Sequence, residues 1–84
     1  MQLEEKALLH DIRIAGAKIR TFTSGKTFED YQADDMIRAA VERQFEIIGE
    51  ALSLLAKRNK GLVAHISEYQ RIIFFRNILI HGYA

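Results

Sequence analysis

Residues 34–58 read DDMIRAAVERQFEIIGEALSLLAKR, and this stretch decides the fold. Its apolar residues recur at steps of four and three, which is the spacing of one face of an α-helix. Asp34 or Asp35 can cap the start of this helix, which we expect to run to about Arg58 and to be followed by a turn over residues 59–61. The apolar face consists of Ile37, Val41, Phe45, Ile48, Leu52 and Leu55.

The preceding residues predict two further helices. Over residues 4–23 apolar side chains again recur at steps of four and three, and Gly25 can end that helix. Thr27 and Asp30 have the spacing of a capping box. We therefore expect a second, short helix that ends near Ala33.

Two glycines and two glutamates inside the predicted helices require an interpretation. Glycine in a helix costs about 1 kcal/mol relative to alanine, so we assign Gly16 and Gly49 to close helix crossings. Glu46 and Glu50 could be paired carboxylates of a site. Arginines at helical spacing favour surface ion pairs instead, although Glu46 could still reach a cleft.

The most apolar part of the chain follows residue 67. Ser67 can cap a helix there, and residues 72–80 contain only Arg76 and Asn77 as polar side chains. Periodicity does not separate a buried helix from a buried strand in such a run, but no second strand is evident to pair with it, so we predict a helix. A helix that is apolar on every side must be covered on every side, which indicates a homodimer.

Together these elements predict one domain over residues 1–84. Its fold class is all-α, an antiparallel helical bundle that dimerises through its last helices. A small domain without disulfides often gains stability from a partner subunit, which favours the same conclusion.

The composition excludes several classes of site and location. There is no cysteine, and His10, His65 and His81 are scattered, so we expect no metal and no cofactor. The N-terminus lacks a signal peptide, and no apolar stretch reaches the ~18 residues of a membrane span. We therefore expect a cytoplasmic protein with no membrane partner.

Charge is unevenly distributed along the chain. Residues 1–50 carry seven Lys and Arg against ten Asp and Glu, whereas residues 51–84 carry five against one. The basic second half suits an anionic ligand, although a solvated basic face explains the charge equally well.

Arg76 and His81 are the candidate reactive residues, because polar side chains in an apolar segment must find partners or line a cleft. Five residues span roughly 140° of a helix, so these two point apart, whereas Asn77 lies near His81. Two copies facing each other could bring both sets into one groove. A histidine can take the proton of an RNA 2′-hydroxyl and an arginine can bind the phosphate. Alternatively, Arg76 forms a structural ion pair and His81 lies at a helix end.

Residues 76–83, Arg-Asn-Ile-Leu-Ile-His-Gly-Tyr, resemble the Arg-x4-His-x-Tyr signature of the HepT-like branch of the HEPN superfamily. Residues 46–51 resemble the central helix of that branch. Residues 10–12 and 28–31 resemble its first helix and the turn after it. The resemblance covers nearly the whole chain.

The resemblance implies a HEPN-type bundle whose dimer places two signatures in a shared cleft. It implies the ribonuclease toxin of a type VII-like toxin–antitoxin module, with Arg76 and His81 catalytic and Asn77 supporting. The partner would be a minimal nucleotidyltransferase antitoxin that transfers AMP to Tyr83. Members usually continue for another helix after the tyrosine, so the resemblance also implies that the usual C-terminal helix is lacking.

Two other functions stay open on the sequence. The chain could be a non-catalytic nucleotide-binding or partner subunit of a minimal nucleotidyltransferase, to which it offers Tyr83. It could also be a helical dimerisation module in which Arg76 has a structural role. The polar residues Arg76, Asn77 and His81 in an otherwise apolar helix favour the ribonuclease and the partner subunit over the dimerisation module.

Overall fold

The computed structural model describes residues 2–66, and these residues are almost entirely helical. They form helices α1 (Leu3–Thr23), α2 (Phe28–Ala33), α3 (Asp35–Arg58) and α4 (Lys60–Val63). No strand occurs within this part of the chain. The all-α fold class predicted from the sequence is confirmed.

Local capping interactions set the bounds of the first three helices. Gly25 has φ of +71°, in the left-handed region, and turns the chain after α1. The Thr27 hydroxyl accepts from the Asp30 N–H at 3.1 Å, while the Asp30 carboxylate accepts from the Thr27 N–H at 3.0 Å. The predicted capping box is therefore confirmed. The next helix is capped by Asp34, whose carboxylate accepts from the backbone N–H of Met36 at 3.0 Å.

Helix α1 packs against α3 in an antiparallel hairpin, with the first turn of α1 beside the last turn of α3. The core of this contact contains Ala15, Ile48 and Leu52, with Ile66 packed against it. Fully burying one such leucine is worth about 1.5–3 kcal/mol. The predicted apolar face of α3 is confirmed: Val41, Ile48, Leu52 and Leu55 are buried, and Ile37 and Phe45 are half-buried.

The turn predicted over residues 59–61 is wrong. Asn59 instead caps the single-turn helix α4, and its side-chain oxygen accepts from the Leu62 N–H at 3.0 Å. Asparagine favours both turns and helix starts, so its identity alone does not choose between them. The burial of Val63, which is completely enclosed, favours the helix.

The close helix crossing predicted at Gly16 is also wrong. A Cβ built on Gly16 would meet no atom of the described chain within 4 Å. Gly16 therefore lies beside open space on α1, where a side chain could be added without a clash. Gly49 is buried in α3, as its predicted role requires.

The predicted surface pairing of Glu46 is confirmed. Its carboxylate lies 3.7 Å from the Arg43 guanidinium, one helical turn away. Arg38 pairs with the Asp35 carboxylate and donates to the Gln32 carbonyl, so it serves the start of α3 instead. Such exposed pairs contribute about 0–1 kcal/mol each.

Candidate functional site

The signature residues lie outside the part of the chain that the structure describes. Arg76, Asn77, His81 and Tyr83 all follow residue 66, as does the predicted helix cap at Ser67. The predicted dimer contact through residues 72–80 likewise lies outside residues 2–66. The described residues show what leads into this segment and which cavities flank the helical hairpin.

A polar clasp joins the start of α1 to the junction of α3 and α4. Glu5 is only 6% exposed, and its carboxylate accepts from the Asn59 side-chain amide at 3.3 Å. Beside it, Arg58 donates to the Gln2 side-chain oxygen at 2.8 Å and lies 3.4 Å from the Glu4 carboxylate. Because Asn59 also caps α4, one side chain connects both ends of the described chain. The clasp thereby holds the junction of α3 and α4 against the start of α1.

Two adjoining cavities follow the seam between α1 and α3, and together they form a groove that we call the α1–α3 groove. They share Asp11 and Ile47. The larger has a volume of about 330 Å³, and the smaller of about 230 Å³. The two cavities therefore lie next to each other, and their walls combine apolar and charged side chains.

All three acidic residues of the groove line the larger cavity. Asp11, Glu46 and Glu50 line it, with Arg43 paired to Glu46. The apolar part of its lining comes from Leu8, Ile47, Ala51 and Leu54. Its carboxylates disfavour the approach of a phosphate, so the phosphate-binding role predicted for the C-terminal half finds no counterpart here.

The smaller cavity has a different lining. Its open side carries His10, Asp11 and Lys18, which are exposed, whereas Gln44 is buried with 9% exposure. No residue between 2 and 66 forms a hydrogen bond with the Gln44 side-chain amide. Gln44 was not predicted to be a site residue. The available signal was its spacing, since Gln44 lies three residues after Val41 and four before Ile48 and so falls on the apolar face.

A third cavity, at the opposite end of α1, is lined largely by aromatic and aliphatic side chains. The rings of Phe28 and Tyr31 stack there with centroids 6.2 Å apart. Burial and the negative charge of Glu42 raise the pKa of Tyr31 above its ordinary value. Tyr31 therefore stays a neutral phenol at physiological pH and acts as a packing residue at the α2–α3 contact.

Residues 2–66 can be described with respect to metal binding and membrane spans. No group of three or more His, Asp or Glu side chains is arranged there to hold a metal ion. The helices in that part of the chain are also too short or too polar to span a membrane.

Comparison of the sequence with known protein families identifies a match. The sequence model of the ribonuclease HepT-like family matches residues 12–84, a range that includes the whole signature. No solved structure matches the chain significantly.

Three relatives illustrate the similarity, and each carries a ribonuclease name. Two are from Methanocaldococcus jannaschii and are named as RNases, and each is 33% identical to this chain over 78 residues. The aligned residues cover 93% of this chain, 71% of the first relative and 64% of the second. A third, named as a ribonuclease HepT, from Thermococcus cleftensis, is 36% identical over 83 residues, 99% of this chain and 74% of the relative. The chain thus spans about two thirds to three quarters of these proteins' lengths. Since the family match extends over most of its residues, the chain belongs to the HepT-like ribonuclease family.

Proposed function

We propose that this protein is a metal-independent ribonuclease that acts as a homodimer. The observation that carries the proposal is the family match, which continues through residue 84 and so includes Arg76 and His81. The ribonuclease names of the relatives support the same activity. The basic segment after residue 50, which carries five Lys and Arg against one Glu, suits an RNA substrate.

In this proposal His81 and Arg76 divide the chemistry of phosphodiester cleavage. The His81 imidazole takes the proton from a ribose 2′-hydroxyl, and the 2′-oxygen attacks the adjacent phosphorus. The bond from phosphorus to the 5′-oxygen of the next nucleotide breaks, and that oxygen takes a proton from solvent as a 2′,3′-cyclic phosphate forms. Arg76 binds the phosphate oxygens and offsets the negative charge that builds up during attack. Asn77, four residues before His81 in the sequence, orients the imidazole. The two active protomers contribute their signatures to one cleft.

We further propose a toxin–antitoxin role of the type VII-like kind, in the cytoplasm. A minimal nucleotidyltransferase serves as antitoxin and transfers AMP to the Tyr83 hydroxyl. Tyr83 is two residues from His81, so the added phosphate brings negative charge to the site meant for RNA phosphate. Modification therefore blocks substrate binding.

The catalytic assignment is tested with Arg76→Ala and His81→Ala, assayed for cleavage of a labelled RNA with EDTA present. Loss of the general base lowers the rate by about 10²–10⁴-fold, and loss of the phosphate ligand by about 10²–10³-fold. The matched controls are Arg20→Ala and His65→Ala, which replace exposed side chains of the same types. Full activity in the signature variants, or loss of activity in EDTA, would contradict the mechanism.

The regulatory assignment is tested by intact-mass analysis after incubation with ATP and a minimal nucleotidyltransferase. AMP adducts should form on the wild type and be absent from Tyr83→Phe. A wild type that accepts AMP yet cleaves no RNA before modification would favour the non-catalytic partner subunit instead. Adducts that persist in Tyr83→Phe would move the modification to another residue.

A further inference from the structure

Gln44 is a buried polar side chain beside a cavity. It is 9% exposed, and between residues 2 and 66 its amide has no hydrogen-bond partner. A buried amide without a partner destabilises a fold, and native structures keep few of them without a functional reason. An apolar side chain at this position of α3 would pack without that loss. The amide therefore indicates a ligand that supplies its hydrogen bonds.

The cavity that Gln44 lines has the size and the apolar walls for a small ligand. Its volume is about 230 Å³, below the roughly 300–1,000 Å³ of pockets for drug-sized molecules. Ile14, Ala15 and Ile47 provide apolar walls. A single planar ring system fits these dimensions better than a complete nucleotide does.

The charged residues at the opening define the rest of the ligand. Lys18 lines the cavity and is exposed, so its ammonium group can meet a phosphate outside the pocket. Asp11 lines the same cavity and accepts hydrogen bonds. A ligand that combines a flat ring bearing an amino group with a phosphate satisfies all of these side chains.

We propose that this cavity, the Gln44 pocket, binds one unpaired base of the RNA, with adenine preferred; the proposal rests on the ribonuclease function proposed above. The Gln44 amide offers an acceptor and a donor side by side, matching the adjacent amino group and ring nitrogen of adenine. Asp11 accepts the second hydrogen of that amino group, and Lys18 binds the neighbouring phosphate. A protein helix laid along the groove would cover it with apolar side chains and leave the amide unpaired.

Binding is measured with the full chain and two labelled RNA decamers, one of adenosine and one of uridine, carrying 2′-O-methyl groups. These groups remove the attacking hydroxyl, so affinity is measured without cleavage. We expect fluorescence anisotropy to show a preference for the adenosine decamer of about 5- to 150-fold, the discrimination given by one bidentate pair. Gln44→Leu should abolish the preference while the Tm stays equal or rises, because a buried unpaired amide has been removed. Gln44→Met, which keeps the unbranched shape, serves if the leucine variant does not fold.

Lys18 is tested separately from base recognition. Lys18→Gln should weaken both decamers equally and reduce the slope of log Kd against log salt by about 0.7, the value for one phosphate on a single strand. The matched control is Lys6→Gln, an exposed lysine on the same helix about 18 Å away, which should leave both affinities unchanged.

Several results would overturn the Gln44 pocket. A preference that is unchanged in both Gln44 variants would do so, as would equal affinity of the wild type for the two decamers. If sedimentation shows that Gln44→Leu converts a dimer to monomer, the groove is a protein contact. Cleavage of unmodified RNA by the wild type is scored independently. A protein that prefers adenosine but cleaves nothing would contradict the ribonuclease function alone, and one that cleaves without the preference would contradict the pocket alone.

Discussion

Asn59→Ala removes two interactions of one side chain and should be among the more destabilising changes at an exposed position. Asn59 accepts from the Leu62 N–H at 3.0 Å, and its loss as a helix cap costs about 0.5–2 kcal/mol. It also donates to the buried Glu5 carboxylate at 3.3 Å. Leaving that carboxylate without this donor costs about 1–3 kcal/mol. We therefore expect a total loss of about 2–4 kcal/mol, because the cap is at ordinary length whereas the bond to Glu5 is long at 3.3 Å.

For a domain of this size each kcal/mol lowers the Tm by about 4–8 °C, so thermal denaturation followed by circular dichroism resolves the effect. Two further variants separate the interactions. Asn59→Ser keeps a capping oxygen but loses the donor to Glu5, and should show only the second part of the loss. Glu5→Gln can still accept from Asn59 through its amide oxygen, and should be tolerated better than Asn59→Ala. The Lys60→Ala variant, an exposed neighbour, is the control.

The reasoning would be refuted if Asn59→Ala lowered the free energy of unfolding by less than about 0.5 kcal/mol. That result would mean that neither the α4 cap nor the Glu5 bond is maintained in solution. A double-mutant cycle of Asn59→Ala with Glu5→Leu checks the coupling directly. We expect a coupling free energy above about 0.5 kcal/mol, the value typical of residues in contact.

Three other predictions follow from the described helices and the last segment. Gly16→Ala should raise the free energy of unfolding by about 1 kcal/mol in urea denaturation, because its Cβ enters open space, and a loss would show that a partner covers this face. The hydrogen bond from the Thr27 N–H lowers the pKa of Asp30, so its stabilisation is present above the unfolded-state pKa and lost as pH falls through the lower folded-state value. Asp30→Asn should therefore flatten the decline of Tm below about pH 4, and an unchanged pH profile would contradict this. Phe74→Asp should produce inactive monomer or aggregate by analytical ultracentrifugation at micromolar concentration, and an active wild-type monomer would exclude the shared cleft.

The bounds of the long helices could be predicted because their determinants are local. Thr27 with Asp30, and Asp34 with the two residues after it, are spaced so that each cap forms within its own turn. The apolar spacing of α3 then fixed which side faces α1, since a helix buries one stripe. These features depend on neighbours within four residues, which a sequence displays directly.

The predictions at Asn59 and Gly16 were wrong because the conformation or packing there depends on residues far away in the sequence. From the sequence alone, Asn59 is typical of a turn. Its role as a helix cap follows from its contact with Glu5, 54 positions earlier, and from the burial of Val63. From the sequence alone, Gly16 indicates a close helix crossing, but the structure has open space beside it. In both places the residue type allows two conformations or packings, and the presence or absence of a tertiary contact distinguishes them.

The same distinction applies to the candidate functional residues, some of which can be recognised in the sequence and others only in the structure. The signature at residues 76–83 is recognised in sequence because its chemistry depends on side-chain identity at short spacing. The Gln44 pocket was not recognised, because a glutamine in a helix reads as a surface residue and only its burial against α1 shows that its amide is withheld from solvent. The proposed ribonuclease combines two kinds of group: residues that act on a phosphate common to every nucleotide, and a residue that distinguishes one base from another. The first kind is confined to a few reactive side chains, whereas the second requires only an amide or carboxylate held in a cavity, so it becomes visible only once the helices are packed.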